Sequence, residues 1–222
     1  MTTITEDLVL LLLDPGSGRA VVDGTSLDRA IGGALLLDLA LRERISADSD
    51  GAKARLRVLD PAPTGDALLD EAASRLSGNA VRAQKAVERL ARRTRTPVLE
   101  RLVQRGVVRC EQSRILGIFP STTWPSTGSG AGKELRGQVA AVLRDGAPPD
   151  QHVALLISLV HAVKAEHKVV DGARRQLRAR AAEVADGDWA GVAVRKAVQA
   201  VQASVMAAVT ASTIAAGSSS GS

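Results

Sequence analysis

The amino-acid sequence predicts a mainly α, single-domain fold with one β-hairpin, on three observations. Long segments carry apolar residues at helical spacing, with glycine, proline and aspartate clusters punctuating them. Only Trp124, Trp189 and Phe119 are aromatic, so the core must be filled by Leu, Val, Ile and Ala, whose modest volumes suit close packing of helix against helix. Strand-like patterns are confined to short runs, two of which sit side by side between residues 106 and 120.

Thr5 is placed to cap a short helix over 6–13, with Glu6 and Asp7 in the first turn, where the helix dipole favours acids. "DPGSG" ends that helix and "RAVV" reads as a short strand. Ser26 or Asp28 then caps a long apolar helix, "LDRAIGGALLLDLALRERI". Gly32 and Gly33 inside it each cost about 1 kcal/mol relative to Ala, so a crossing helix or a ligand must need the backbone close there. "ARLRVLD" at 54–60 alternates as a strand, and "PAPTGDALLDEAASRL" turns sharply into a helix. There Thr64 or Asp66 can accept from first-turn amides, and Leu68, Leu69, Ala72 and Leu76 form one apolar face.

Helices are expected at 79–93 and 96–105, Pro97 falling in the first turn of the second. "GVVRCEQ" and "RILGIFP" read as a hairpin turning at Gln112 and Ser113, followed by a loop through "STTWPSTGSGAGKE". Helices follow over 135–144, 152–168, 171–185 and 189–215, and residues 217–222 read as a flexible tail beyond a domain of 1–216.

The lone Cys110 excludes an intrachain disulfide and a multi-cysteine metal site, and fits a reducing compartment. The longest apolar run, 8–13, is far short of the roughly 20 residues of a membrane span, and no signal-peptide pattern stands at the start. The expected location is therefore cytoplasmic, with any membrane contact peripheral. A net charge of +5, with 23 of the 29 basic residues being Arg, favours an anionic partner.

Candidate chemistry thins out on inspection. "TGSGAGKE" at 127–134 lacks the first glycine and the Ser or Thr that a phosphate-binding P-loop requires. His161 and His167 are six apart and so face different ways on a helix, which argues against a metal pair. No nucleophile elbow is present, and Asp70 and Glu71 are adjacent and diverge. No enzyme activity, cofactor or metal is expected. The strongest cationic concentration is Arg92, Arg93 and Arg95 at a helix junction, where guanidinium groups and free amides suit a phosphate. Ile118, Phe119 and Trp124 gather scarce apolar bulk at the hairpin, as core packing or as a membrane or self-association surface. Helices followed by a hairpin over 79–119 also have the order of a winged helix, so a nucleic-acid binder is the rival reading and a ligand-free adaptor a third.

"APTGDALLDEA" closely resembles a segment of the Golgi phosphoprotein 3 family, cytosolic readers of phosphatidylinositol 4-phosphate. "ITEDLVLLLLD", "IGGALLLDLALRERI", "LVQRGVV", "FPSTTWP" and "LLISLVHA" follow in the family's order and at similar spacing, over about residues 4–215. The short, Arg-, Ala- and Val-rich chain looks like a bacterial member. The resemblance implies a helical bundle wrapped by amphipathic helices, with a projecting hairpin and no catalytic site. It also implies docking on anionic membranes through a phosphoinositide head group. With that docking as the leading reading over nucleic-acid binding, the hairpin around Phe119 to Trp124 is expected to add an apolar membrane contact or a homo-oligomer surface. The family's head-group Arg pair falls on Arg92 and Arg95. Its pocket Trp falls on Asp23 and its remaining Arg on Gly32, and Arg29, one turn before Gly33, is the substitute cation. Eukaryotic members carry an extra N-terminal tail that engages coat and glycosyltransferase tails; that binding is not expected of this chain.

Overall fold

The computed structural model describes residues 2–49, 51, 53–115, 119–187 and 192–218. Its elements run α1 (Ile4–Leu12), α2 (Gly24–Leu41), β1 (Ile45–Ala47), β2 (Arg55–Val58), α3 (Ala67–Leu76), β3 (Val81–Arg82), α4 (Ala83–Ala91) and α5 (Arg95–Gln104). They continue β4 (Glu111–Ile115), β5 (Phe119–Thr123), α6 (Ala131–Leu143), α7 (Gln151–Ala162), α8 (Glu166–Val169), α9 (Arg174–Asp186) and α10 (Val192–Ser218). The expected mainly helical fold with a hairpin is therefore the observed one.

The apolar core is one contiguous cluster drawing on almost every helix, with α2 at its centre. α2 packs against α1, α3, α4, α7 and α10, which is why its "GGALLLDLA" segment is buried on all sides. The glycine pair is explained by crossing helices rather than a ligand. A Cβ on Gly32 would lie 2.5 Å from the Val87 carbonyl oxygen and 2.9 Å from the Ala91 nitrogen of α4. On Gly33 it would lie 2.6 Å from Val205 of α10. Two helices thus close on α2 at successive positions.

α1 is buried along its whole length, so its free N-terminal amides need partners inside the protein. Thr3, not Thr5, is the cap: its hydroxyl accepts from the Glu6 amide while Glu6 reaches back to the Thr3 amide. Thr5 is turned inward, donating to the buried Asp38 of α2 at 2.6 Å. Asp38 also accepts from the amides of Ile4 at 2.9 Å and Thr5 at 3.0 Å. Burial raises the Asp38 pKa against the opposing effect of these bonds. Asp23, rather than Ser26 or Asp28, caps α2, and "RAVV" contributes one bridge, Leu13 to Ala20, instead of a strand.

β1, β2 and β3 form a small antiparallel sheet of that order. At the following corner Asp66 caps α3, accepting from Leu68, and takes both guanidinium nitrogens of Arg101 on α5 at 2.7 Å each. Thr64 donates its amide and hydroxyl to Asp70, each at 2.6 Å. The particular residues of "PTGDALLD" therefore do more than cap: they tie the corner to α5.

β4 and β5 pair from Glu111 opposite Thr123 to Ile115 opposite Phe119. Gln112 and Ser113 lie within β4, opposite Thr122 and Ser121, rather than at the turn the sequence suggested. Val108 is the reason: it is buried and bridges Ser126, anchoring the hairpin's base, and the exposed Glu111 to Arg114 run outward from it. The helix expected over 152–168 breaks at Lys164, whose φ is 57°. His161 Nδ1 bonds the buried Glu166 across the break at 2.6 Å.

Candidate functional site

The site is framed by the first turns of α2 and the junction between α4 and α5. α4 buries Ala83, Ala86, Val87 and Leu90, and the same periodicity turns Arg82, Lys85, Arg89 and Arg92 to one outer face. At its C-terminal end the chain must reverse direction without leaving bare carbonyls. Arg75 of α3 supplies the donors, reaching the carbonyl oxygens of Arg89 at 2.5 Å and Arg92 at 2.9 Å. The buried Thr94 hydroxyl donates to the Leu90 carbonyl. Arg93 makes the reversal at φ 62°, a conformation in which glycine is the usual residue after a helix end.

The junction opens onto a cleft of about 480 Å³, walled by Thr25, Asp28 and Arg29 of α2 and by Glu88, Ala91, Arg92 and Arg93. Arg92 and Arg93 are exposed, and among the described residues neither guanidinium has a hydrogen bond or ion pair. Arg29 lines the cleft, and its guanidinium also donates to the Ala208 carbonyl of α10 at 2.6 Å. It is thereby fixed in place.

Arg95, expected beside Arg92, does not line the cleft. Its Nε bonds Asp28 at 2.8 Å and its terminal nitrogen donates to the Gly24 carbonyl, so it fastens α5 to the start of α2. The correction has a plain cause: Arg95 opens α5 and faces α2, and Asp28 sits one helical turn beyond Gly24 on the facing side. Among the described residues, Arg93 is the other cation of the cleft without an internal partner; the helix expected over 79–93 enclosed it, whereas α4 ends at Ala91 and leaves Arg93 in the junction. Asp23, where the resemblance places the family's pocket Trp, is exposed. The amide and hydroxyl of Ser26 lower its pKa, outweighing the raising effect of burial. At Gly32 no side chain fits, for the steric reason given above.

With Asp28 matched by Arg95, Glu88 is the acid that faces the cleft's three guanidinium groups. Guanidinium groups bind phosphate oxygens, and a carboxylate beside them accepts from hydroxyls. Such a mixed lining suits a phosphorylated polyol better than a bare anion.

The hairpin residues separate. Ile118 lies outside the described residues, and Phe119 opens β5 opposite Ile115. Trp124 is not at a tip: it follows β5 at the hairpin's base, half-buried, its amide donating to the Gly18 carbonyl at 3.0 Å. There it walls a recess of about 360 Å³ with Leu10, Leu13 and Val108. Among the described residues no group of three or more His, Cys, Asp or Glu could hold a metal, and no helix is long and apolar enough to cross a membrane. A family model described as Golgi phosphoprotein 3 (GPP34) matches residues 4–201 of the 222, and the chain belongs to that family.

Proposed function

We propose that this protein docks on membranes by taking the phosphorylated head group of an anionic lipid, phosphatidylinositol 4-phosphate or a close relative, in the cleft between α2 and the α4–α5 junction. The observation that carries the reading is the pair Arg92 and Arg93: two cations without side-chain partners among the described residues, one standing where the backbone favours glycine. Arg29, held by Ala208, offers a third cation that loses little freedom on binding. In this reading a phosphate meets Arg92 and Arg93 while Glu88 accepts from inositol hydroxyls. No bond is made or broken, and no catalytic role is ascribed to any residue. The hairpin provides an additional contact with the membrane or with a second copy of the chain.

A nucleic-acid reading draws less support. A recognition helix needs free cations, yet on and just after α5 Arg95 is engaged by Asp28, Arg101 by Asp66 and Arg105 by Glu6.

Flotation with phosphatidylcholine vesicles, with and without phosphatidylinositol 4-phosphate, tests the proposal. Cations at an anionic surface contribute about 1 kcal/mol each, so Arg92→Ala with Arg93→Gly is expected to weaken binding by about 30-fold. The thermal midpoint should hold or rise, because glycine suits the left-handed position. Undiminished binding by a folded double variant would sink the assignment.

A further inference from the structure

We infer that the chain carries a second anion site, at the opposite end of α4, that takes a phosphoryl group independently of the cleft described above. It is a cleft of about 410 Å³ lined by Arg55, Arg82, Lys85 and Arg89, together with the neutral Ser77 and Asn79. No carboxylate lines it, whereas Asp28 and Glu88 both line the first cleft. Positive charge there is less compensated than at the position suggested by the family.

The four cations are organised in two pairs. Arg55 and Arg82 are directly opposite one another in the register of β2 and β3. Two like charges face to face destabilise a sheet unless a counter-charge intervenes, so the arrangement is one an anion would relieve. Arg55 is held by the Ala80 carbonyl at 2.8 Å and Arg89 by the Arg75 carbonyl at 3.0 Å, which fixes two of the guanidinium groups before any ligand arrives. Arg82 and Lys85 are exposed and have no side-chain partner among the described residues. Asp48, directly after β1, accepts from the Arg55 amide at 2.8 Å and from the Ser49 hydroxyl and offsets part of the Arg55 charge, but it does not line the cleft. Glu88 accepts from Gln84 and belongs to the first cleft.

Residues 82, 85, 89 and 92 follow one another at spacings that keep them on one helical face, so both clefts open along the same side of α4. Nine helical residues span about 14 Å, short enough for one membrane surface to reach both ends. Guanidinium and ammonium groups around a neutral polar floor recognise phosphate oxygens by charge and hydrogen bonding, and the absence of carboxylate admits a dianion.

The test uses the full chain and three variants: Arg82→Ala with Lys85→Ala, Arg92→Ala with Arg93→Gly, and Arg174→Ala with Arg175→Ala on the exposed start of α9 as a charge control. All six positions are exposed, and circular dichroism with a thermal scan checks the folds. Each is measured against phosphatidylcholine vesicles carrying phosphatidylinositol 4-phosphate, and against inorganic phosphate by perturbation of the amide resonance of Asn79, which lines the cleft and is unchanged in every variant. For Arg82→Ala with Lys85→Ala we expect about a 30-fold loss of vesicle affinity, against less than twofold for the control. Vesicle loss without a phosphate response assigns the site to a lipid head group. A saturable Asn79 response to phosphate in the parent that is lost with Arg82→Ala and Lys85→Ala assigns it to a phosphoryl group from solution as well, and both results support the site. Retained vesicle affinity together with no phosphate response, or an equal loss in the α9 control, overturns it. Because Arg92→Ala with Arg93→Gly is read in parallel, failure of this site and failure of the first cleft give different patterns.

Discussion

Asp66 shows how one side chain can serve two elements. Its carboxylate caps α3 through the Leu68 amide and clamps Arg101 of α5 with two bonds, while only 13% of the side chain is exposed. The Arg101 guanidinium is the largest influence holding its pKa below the ordinary aspartate value, outweighing the opposing effect of partial burial. Asp66→Ala removes a helix cap and strands a partly buried guanidinium, which together should cost about 2–3 kcal/mol in urea unfolding near neutral pH. Because the folded-state pKa is depressed, that stability is fully present above about pH 3.8 and is lost as pH falls through the folded value. The gap between variant and parent should accordingly narrow toward pH 3, and a gap independent of pH would show that the clamp contributes no ionic stability. "PTGD" was legible in the sequence as a cap; its grip on Arg101 was not, since the partner is 35 residues away.

At the scale of elements, the crossing of α2 and α4 sets the first cleft, whose walls come from both. Gly32 permits the approach. Gly32→Ala would gain about 1 kcal/mol of helix propensity. Against that, a Cβ 2.5 Å from a backbone carbonyl forces α4 away at a cost toward the upper end of about 1–3 kcal/mol, so net destabilisation is expected. The same displacement moves Glu88 and Arg92 relative to Arg29. Vesicle affinity should fall several-fold even though no ligand contact is removed, and a stable variant with full affinity would show that the crossing does not position the cleft. Helix order was readable because apolar periodicity is local. The strands β1 and β3, the break at Lys164 and the true hairpin turn were not, since each is fixed by pairing or burial between distant segments.

Over the whole molecule, a net charge of +5 is spread unevenly, with one outer side of α4 carrying both cation-lined clefts. Binding built on such a face is screened over a Debye length of about 8–10 Å near physiological ionic strength. Affinity for phosphatidylinositol 4-phosphate vesicles is expected to fall at least 10-fold between about 0.05 and 0.3 M NaCl, with a shallower fall once Arg82 and Lys85 are replaced. Flotation across a salt series reads both, and a salt-independent affinity would point to apolar insertion instead. The sequence by itself determined the helical class, the family and the concentration of Arg around residues 89–95, because periodicity, motif order and composition are carried by neighbouring residues. Only the tertiary structure decided which cations are free. Arg95, Arg101 and Arg105 find acids on distant elements, whereas Arg82, Lys85, Arg92 and Arg93 are exposed and pair with no acid among the described residues, and that outcome depends on which helix faces pack together.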